Sequence, residues 1–299
     1  MIRLMAALLS TAFFISGGWA EAQGEGGDTL AKIKASGQVV VGHRESSVPF
    51  SYYDGQGRVV GYAQFYSELI IEAIKKKLNA PDLEVKYVPI TSNDRIDRLR
   101  GGEYDFECGS TTNNTERQRL VSFSCTFFVV GTRLLVNKNS DINDFDDLLD
   151  KRVAVTNGTT SEKLLKAMNE EKNMNIEIIS AKDHGDAFQT VEAGRADAFF
   201  IDDALLAGER AKAQNPEQWI IVGTPQSYEA YGCMLRKGDA RFKALMDGVV
   251  TEAELTGAAL KAYNRWFKSP IPPNNANLDF ELSSVMKELF AAPNDRAYQ

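Results

Sequence analysis

The stretch GGEYDFECGSTTNNTERQ, residues 101–118, passes from a glycine pair through a half-apolar run into a long polar island. The glycines stop the preceding helical pattern, YDFEC alternates as a strand does, and the island of hydroxyls and amides ends near Arg117. The pattern returns further along the chain. Gly194 is followed by Arg195-Ala196-Asp197 as Gly102 is by Glu103-Tyr104-Asp105, and eight residues beyond each glycine stands a polar group, Ser110 or Asp202.

Outward from both places the same order of elements is legible. QVVVGHRE (38–45) reads as a buried strand, SELIIEAIKKKL (67–78) as a one-faced helix, and LEVKYVPI (83–90) as an alternating strand. Thr91 or Ser92 is a candidate N-cap for the helix that Gly101 ends. After Gly131 the order starts again: KRVAVTNG as strand, TTSEKLLKAMNEE as helix with Thr159 and Glu162 at capping-box spacing, IEIISA as strand, a helix capped by Asp183, and RADAFFIDD as strand. Such alternation predicts an α/β fold of two similar lobes, each a mostly parallel sheet flanked by helices. The second lobe (131–230) is expected to be inserted into the first (27–130 and 231–299), with two crossover segments as the hinge. The amphipathic tail from Asp239 to Phe267 should pack on the first lobe.

Ligands of open α/β sheets sit beyond the carboxyl ends of the strands. Those ends supply Arg44, Ser92, Arg95, Ser110, Thr112 and Arg117 from one lobe, and Thr159, Thr160, His184 and Asp202 from the other. Arginine forks and helix N-termini favour anions, and a single aspartate suits one ammonium. An amino acid's α-carboxylate and ammonium use one Arg and Asp202; the other arginines ask for a second carboxylate, hence a dicarboxylic amino acid. Four or five charge-assisted hydrogen bonds at about 1.5–3 kcal/mol each, less the entropy of capture, reach the roughly 8 kcal/mol of a micromolar complex.

The whole chain narrows the alternatives. Its 299 residues allow two domains, and 43% hydrophobic with 25% charged residues is a globular composition. A net charge of −7 excludes a general nucleic-acid or anionic-membrane footprint. The start, MIRLMAALLSTAFFISGGWAEAQG, has the layout of a secretory signal peptide over residues 1–22, cleaved after Ala20 or Ala22. Export lets the three cysteines form one disulfide with an odd thiol, or stay reduced as three small apolar groups. Asp183-His184-Gly185-Asp186 has no second histidine nearby and suggests no metal, and neither a G-K-[ST] loop nor a G-x-S-x-G elbow occurs. No cofactor is expected.

VGHRESSVPFSYYDGQGRVVGY, ITSNDRI, FECGSTTNNTERQ, VTNGTTSE, ISAKDHGDAF, DDALLAGERAKA and EAYGCMLRKGD resemble, block by block, the periplasmic glutamate/aspartate-binding proteins of polar amino-acid ABC transporters. These are solute-binding proteins with the two-lobe "Venus flytrap" fold. The resemblance covers nearly everything after the signal peptide. It implies that Arg44, Ser92, Arg95, Ser110, Thr112, Arg117, Thr160, His184 and Asp202 contact L-glutamate or L-aspartate. It further implies a periplasmic monomer, a membrane permease as partner and a Cys108–Cys233 disulfide, with Cys125 the odd thiol where the family commonly has an acid. Gln64 likewise replaces an acid. The competing expectations are an enzyme on the same scaffold, a periplasmic dehydratase with His184, Glu107 or Asp202 as acid–base group, and a sensing subunit for a chemoreceptor.

Overall fold

The structure, a computed structural model, describes residues 27–297. The expected signal peptide, residues 1–22, and the last two residues of the chain lie outside them. Among the described residues the strands are β1 (Gln38–His43), β2 (Ser46–Ser47), β3 (Ser51–Tyr53), β4 (Val59–Val60), β5 (Glu84–Pro89), β6 (Phe106–Glu107), β7 (Val121–Asn137), β8 (Arg152–Thr156), β9 (Glu177–Ala181), β10 (Ala198–Asp202), β11 (Trp219–Val222) and β12 (Tyr228–Arg236). The helices are α1 (Thr29–Ser36), α2 (Tyr62–Leu78), α3 (Arg95–Arg100), α4 (Thr160–Lys172), α5 (His184–Glu192), α6 (Asp203–Lys212), α7 (Ala240–Leu255), α8 (Ala258–Phe267) and α9 (Ser284–Ala291). None of the helices is long and apolar enough to cross a membrane among the described residues.

Two sheets share one strand. β5, β1 and β6 run parallel, and β12 joins them antiparallel to β6 and to β7. Further along, β7 pairs antiparallel with β10 and β11, and β10, β8 and β9 run parallel. The change of partner falls between Gly131, opposite Tyr228 of β12, and Thr132, opposite Asp202 of β10. The long apolar run of β7 is therefore buried on both sides along nearly its whole length, which explains why it carries no amphipathic alternation.

The larger apolar cluster runs through both lobes, from Ile70 and Phe128 to Phe188 and Leu205, and a smaller one lies within the second. Val153 of β8, Leu165 of α4 and Phe200 of β10 fill the smaller one together with Phe145, from the short helical turn Phe145–Leu148. Phe128 of the shared strand stacks with Tyr263 and Phe267, with centroids 4.5 Å apart for Tyr263–Phe267 and 5.0 Å for Phe128–Phe267, and Tyr62 meets all three edge-on. This stack fastens α8 to α2 and β7, so the Asp239–Phe267 tail packs beside the first strands of the chain.

Three local features differ from the sequence reading. The helix over 67–78 begins five residues earlier, at Tyr62. Neither Thr91 nor Ser92 caps α3: Thr91 and Asp94 exchange side-chain–backbone hydrogen bonds of 2.8 and 3.2 Å, closing a turn that delays the helix to Arg95 and leaves the Ser92 hydroxyl to accept from Arg44. The capping box at Thr159 is altered, since Thr159 accepts from Glu162 N while Glu162 Oε2 reaches past the cap to Gly158 N.

Candidate functional site

Arg44 leaves the end of β1, Ser92 and Arg95 follow β5, and Ser110 to Arg117 follow β6. From the other lobe come Thr159 and Thr160 after β8, His184 after β9, and Asp202 closing β10. Hydrogen bonds tie the first group together. Arg44 donates to Ser92 Oγ at 2.8 Å and Ser110 Oγ at 3.5 Å, and Ser110 in turn to Ser47 Oγ at 3.3 Å. Arg95 donates to the Ser110 carbonyl at 3.0 Å and Thr111 Oγ1 at 2.7 Å. Arg117 donates to the Thr112 carbonyl at 3.0 Å and, across the lobes, to the Gly158 carbonyl at 3.4 Å. Among the described residues none of these bonds ends on a carboxylate.

All three guanidinium groups are buried. Burial, and then the neighbouring charge of Arg95, pushes Arg44 down to about 10 and Arg117 down to about 9, well below the usual arginine range. Arg95 is itself lowered by burial. Positive groups that disfavour one another's charge leave strong demand for an anion between them.

The second lobe's groups match this. His184 Nδ1 lies 2.8 Å from the Thr156 hydroxyl, and burial together with Arg44 and Arg95 holds the ring well below its ordinary range, so it is neutral. Asp202 accepts from Tyr231 OH, while burial, and then Glu229, keeps its carboxyl well above the ordinary range. Thr160 Oγ1 donates to Glu229 Oε2 at 3.1 Å instead of standing free. Among the described residues, four buried polar atoms in this region lack a hydrogen-bond partner: Arg95 Nε, Glu107 Oε2, His184 Nε2 and Asp202 Oδ1. A donor at Arg95 and carboxyl oxygens at Asp202 and Glu107 are thus unmet, with His184 Nε2 taking either role by its tautomer, which suits a molecule with an anionic and a cationic group.

The structure also corrects the sequence reading. The carboxylate count there was one; here Glu107 and Glu229 join the cluster. Glu107 is fully buried, raised by desolvation against the pull of Arg95, and takes the Thr111 hydroxyl. The sequence does not mark Thr111, Glu229, Tyr231 or Thr156 as site residues, and marks Glu107 only as an acid–base candidate of the competing enzyme reading, because each sits inside a strand pattern or between neighbouring hydroxyls and carries no separate motif. Asp183 caps α5 as expected, accepting from Asp186 N at 3.0 Å. A groove of about 540 Å³ bounded by Asn137, Lys151 and Trp219 lies elsewhere. Lys151 there pairs with Asp141 at 3.0 Å and Asp197 with Arg152 at 2.6 Å, so the groove gathers no comparable set of buried, unmatched charges.

Cys108, at the end of β6, is bonded to Cys233 of β12, and Cys125 is a free thiol. The bridge locks the base of the polar island to the strand that carries Tyr231.

Comparison with known proteins agrees with this architecture. The chain is 64% identical over 271 residues to the glutamate/aspartate import solute-binding protein of Escherichia coli (strain K12), covering 91% of this chain and 90% of that one. It is 53% identical over 270 residues to the L-glutamate/L-aspartate-binding protein of Pseudomonas aeruginosa, covering 90% and 89%. An ancestral arginine-binding protein bound to arginine superposes with a TM-score of 0.69 at 29% identity, over 77% of this chain and 98% of that one. Residues 39–269 match the bacterial extracellular solute-binding proteins, family 3, and to that family this chain belongs.

Proposed function

We propose that this protein captures L-glutamate and L-aspartate between its lobes and delivers them to the permease of an ABC transporter. One observation carries the reading: Arg44, Arg95 and Arg117, all buried, bond only neutral partners and converge with Asp202, whose Oδ1 has none. In this reading Arg117 forks onto one carboxylate and Asp202 takes the ammonium. Arg44, Arg95 and His184 surround the second carboxylate, with Ser92, Ser110, Thr112 and Thr160 completing the contacts.

The lobes are residues 27–130 with 231–299, and 131–230. Two relatives more than half identical are named for glutamate and aspartate, one of them as an import protein, which favours transport over a dehydratase. In the same reading it acts as a periplasmic monomer after removal of residues 1–22, whose sequence has the layout of a secretory signal peptide. Titration calorimetry on ligand-stripped, refolded protein tests the proposal. One site for L-glutamate or L-aspartate at micromolar or tighter affinity is expected, with L-glutamine far weaker; equal affinity for glutamine overturns it.

A further inference from the structure

Thr156 ends β8 and is fully buried, and its hydroxyl makes a single hydrogen bond among the described residues, the 2.8 Å contact with His184 Nδ1. The ring has two neutral tautomers, and the partners available distinguish them. With the proton on Nδ1, the ring donates to Thr156 Oγ1. The hydroxyl hydrogen then has no acceptor, and Nε2 becomes an acceptor facing a site of donors. With the proton on Nε2, Thr156 donates to Nδ1 and is satisfied, and one N–H remains unmet at Nε2. Only the second arrangement leaves no buried hydroxyl unpaired.

The consequence lies at the ligand end of the ring. Nε2–H would join the guanidinium groups of Arg44 and Arg95, whose charges already act on His184. At His184 that pole then offers a donor and no acceptor. A carboxylate has two acceptor oxygens to meet these donors, whereas a carboxamide must turn its own NH2 toward a donor.

We propose that Thr156 is a specificity-determining positioning residue: its hydroxyl fixes His184 as the Nε2–H tautomer and so helps the site take a side-chain carboxylate over the matching amide. This rests on the glutamate/aspartate reading. It deepens that reading with a residue that touches the imidazole and not the ligand.

The chain has two histidines, so 15N-labelled imidazole spectra contain two spin systems, and a His43→Gln variant assigns them. Wild-type protein should show His184 with a protonated Nε2 and a hydrogen-bonded, unprotonated Nδ1. Thr156→Val should lose that signature and bring the glutamate-to-glutamine affinity ratio down at least about tenfold, the worth of a charge-assisted hydrogen bond. Thr156→Ser should restore both. A wild-type ring protonated at Nδ1, or a Val variant that keeps both the Nε2–H signature and the ratio, overturns the inference. These spectra are read without ligand, so failure of the tautomer is separable from failure of glutamate to bind. Should the Val variant not fold, the wild-type spectrum and the Ser variant still decide the matter.

Discussion

Tyr231 of β12 donates its hydroxyl hydrogen to Asp202 at the end of β10, joining the two sheets at the place where β7 changes partner. The pair is buried, and Asp202 keeps a second oxygen without a partner. An ammonium arriving there would favour the carboxylate that burial disfavours.

A proton count follows from that relationship. With the lobes in contact and no ammonium beside it, the Asp202 carboxyl is held above its ordinary range, so it stays protonated at pH values where an exposed aspartate is ionised. Binding of an ammonium should expel that proton. Between the ordinary carboxylate range and the raised one, affinity should therefore rise with pH. Calorimetry in buffers of different ionisation heat should register proton release in that window. Tyr231→Phe removes a bond that favours the charged form and should move the window upward. Asp202→Asn should abolish the release and weaken binding by about 2 kcal/mol or more.

The arginines make the next prediction. Arg117 bonds two backbone carbonyls, one in each lobe, and is desolvated. Arg117→Ala should weaken glutamate binding by at least about 2 kcal/mol, because the bound carboxylate is left unpaired out of water. Lys163, by contrast, meets Glu116 across the lobes at 2.6 Å with both side chains largely exposed. Lys163→Ala should alter affinity by under about 1 kcal/mol, the scale of a solvent-screened pair. The two variants measured side by side separate the buried contact from the exposed one.

Much of this was legible in the chain itself. The strand ends at Arg44, Ser110 and Asp202 announce themselves because apolar runs stop there on polar residues, and strand direction then brings them to one edge. The site's inner support was not legible. Glu107, Thr156 and Tyr231 lie within strands, where sequence alone cannot say which face a residue turns to until pairing and register are known. The partners of Ser92 were misread for another reason: Thr91 and Asp94 had a local alternative to the helix cap, and local side-chain bonds outcompete a cap when both are in reach. The short three-stranded sheet β2–β3–β4 likewise rests on contacts of two or three residues, too few for a periodic signal.

The disulfide should be structural. Cys108 and Cys233 are separated by 125 residues, so the bond removes a large closed loop from the unfolded ensemble. Reduction, or Cys108→Ser with Cys233→Ser, should cost about 2–5 kcal/mol of stability in denaturant titration. Alkylation of the denatured, unreduced protein should label one thiol, Cys125; three labelled thiols would contradict the bridge.

Glu254 of α7 sets a pH dependence of folding away from the ligand. It is buried, neither carboxylate oxygen has a partner, and desolvation pushes its carboxyl up to about 9. A raised carboxyl means the folded chain holds a proton that the unfolded chain has already lost. Its contribution to stability is therefore full below the ordinary glutamate range and declines as pH rises toward about 9. The limiting slope is about 1.4 kcal/mol per pH unit. Glu254→Gln, neutral at every pH, should raise the melting temperature more at pH 8.5 than at pH 5 (both about), flattening the decline. Parallel curves for the two proteins would show that Glu254 is solvated in the folded state.

Closure of the lobes has a steric signature that a single methyl group can test. Gly208 on α6 faces the Val48 carbonyl so closely that a Cβ built there would lie 2.1 Å from the oxygen, and one on Gly185 of α5 would lie 2.7 Å from Ser46 Oγ. Both approaches join the segment after β1 to helices of the other lobe. Gly208 is the cleaner probe, because as a helical residue without positive φ it accepts alanine with no backbone strain of its own. Gly208→Ala should leave the ligand-free fold intact, since alanine suits a helix better than glycine. It should nevertheless hold the lobes apart, lower glutamate affinity at least about tenfold by costing contacts worth about 1.4 kcal/mol or more, and reduce the ligand-induced compaction seen by small-angle scattering. Wild-type affinity in that variant would mean that the ligand is held without the lobes meeting at Val48.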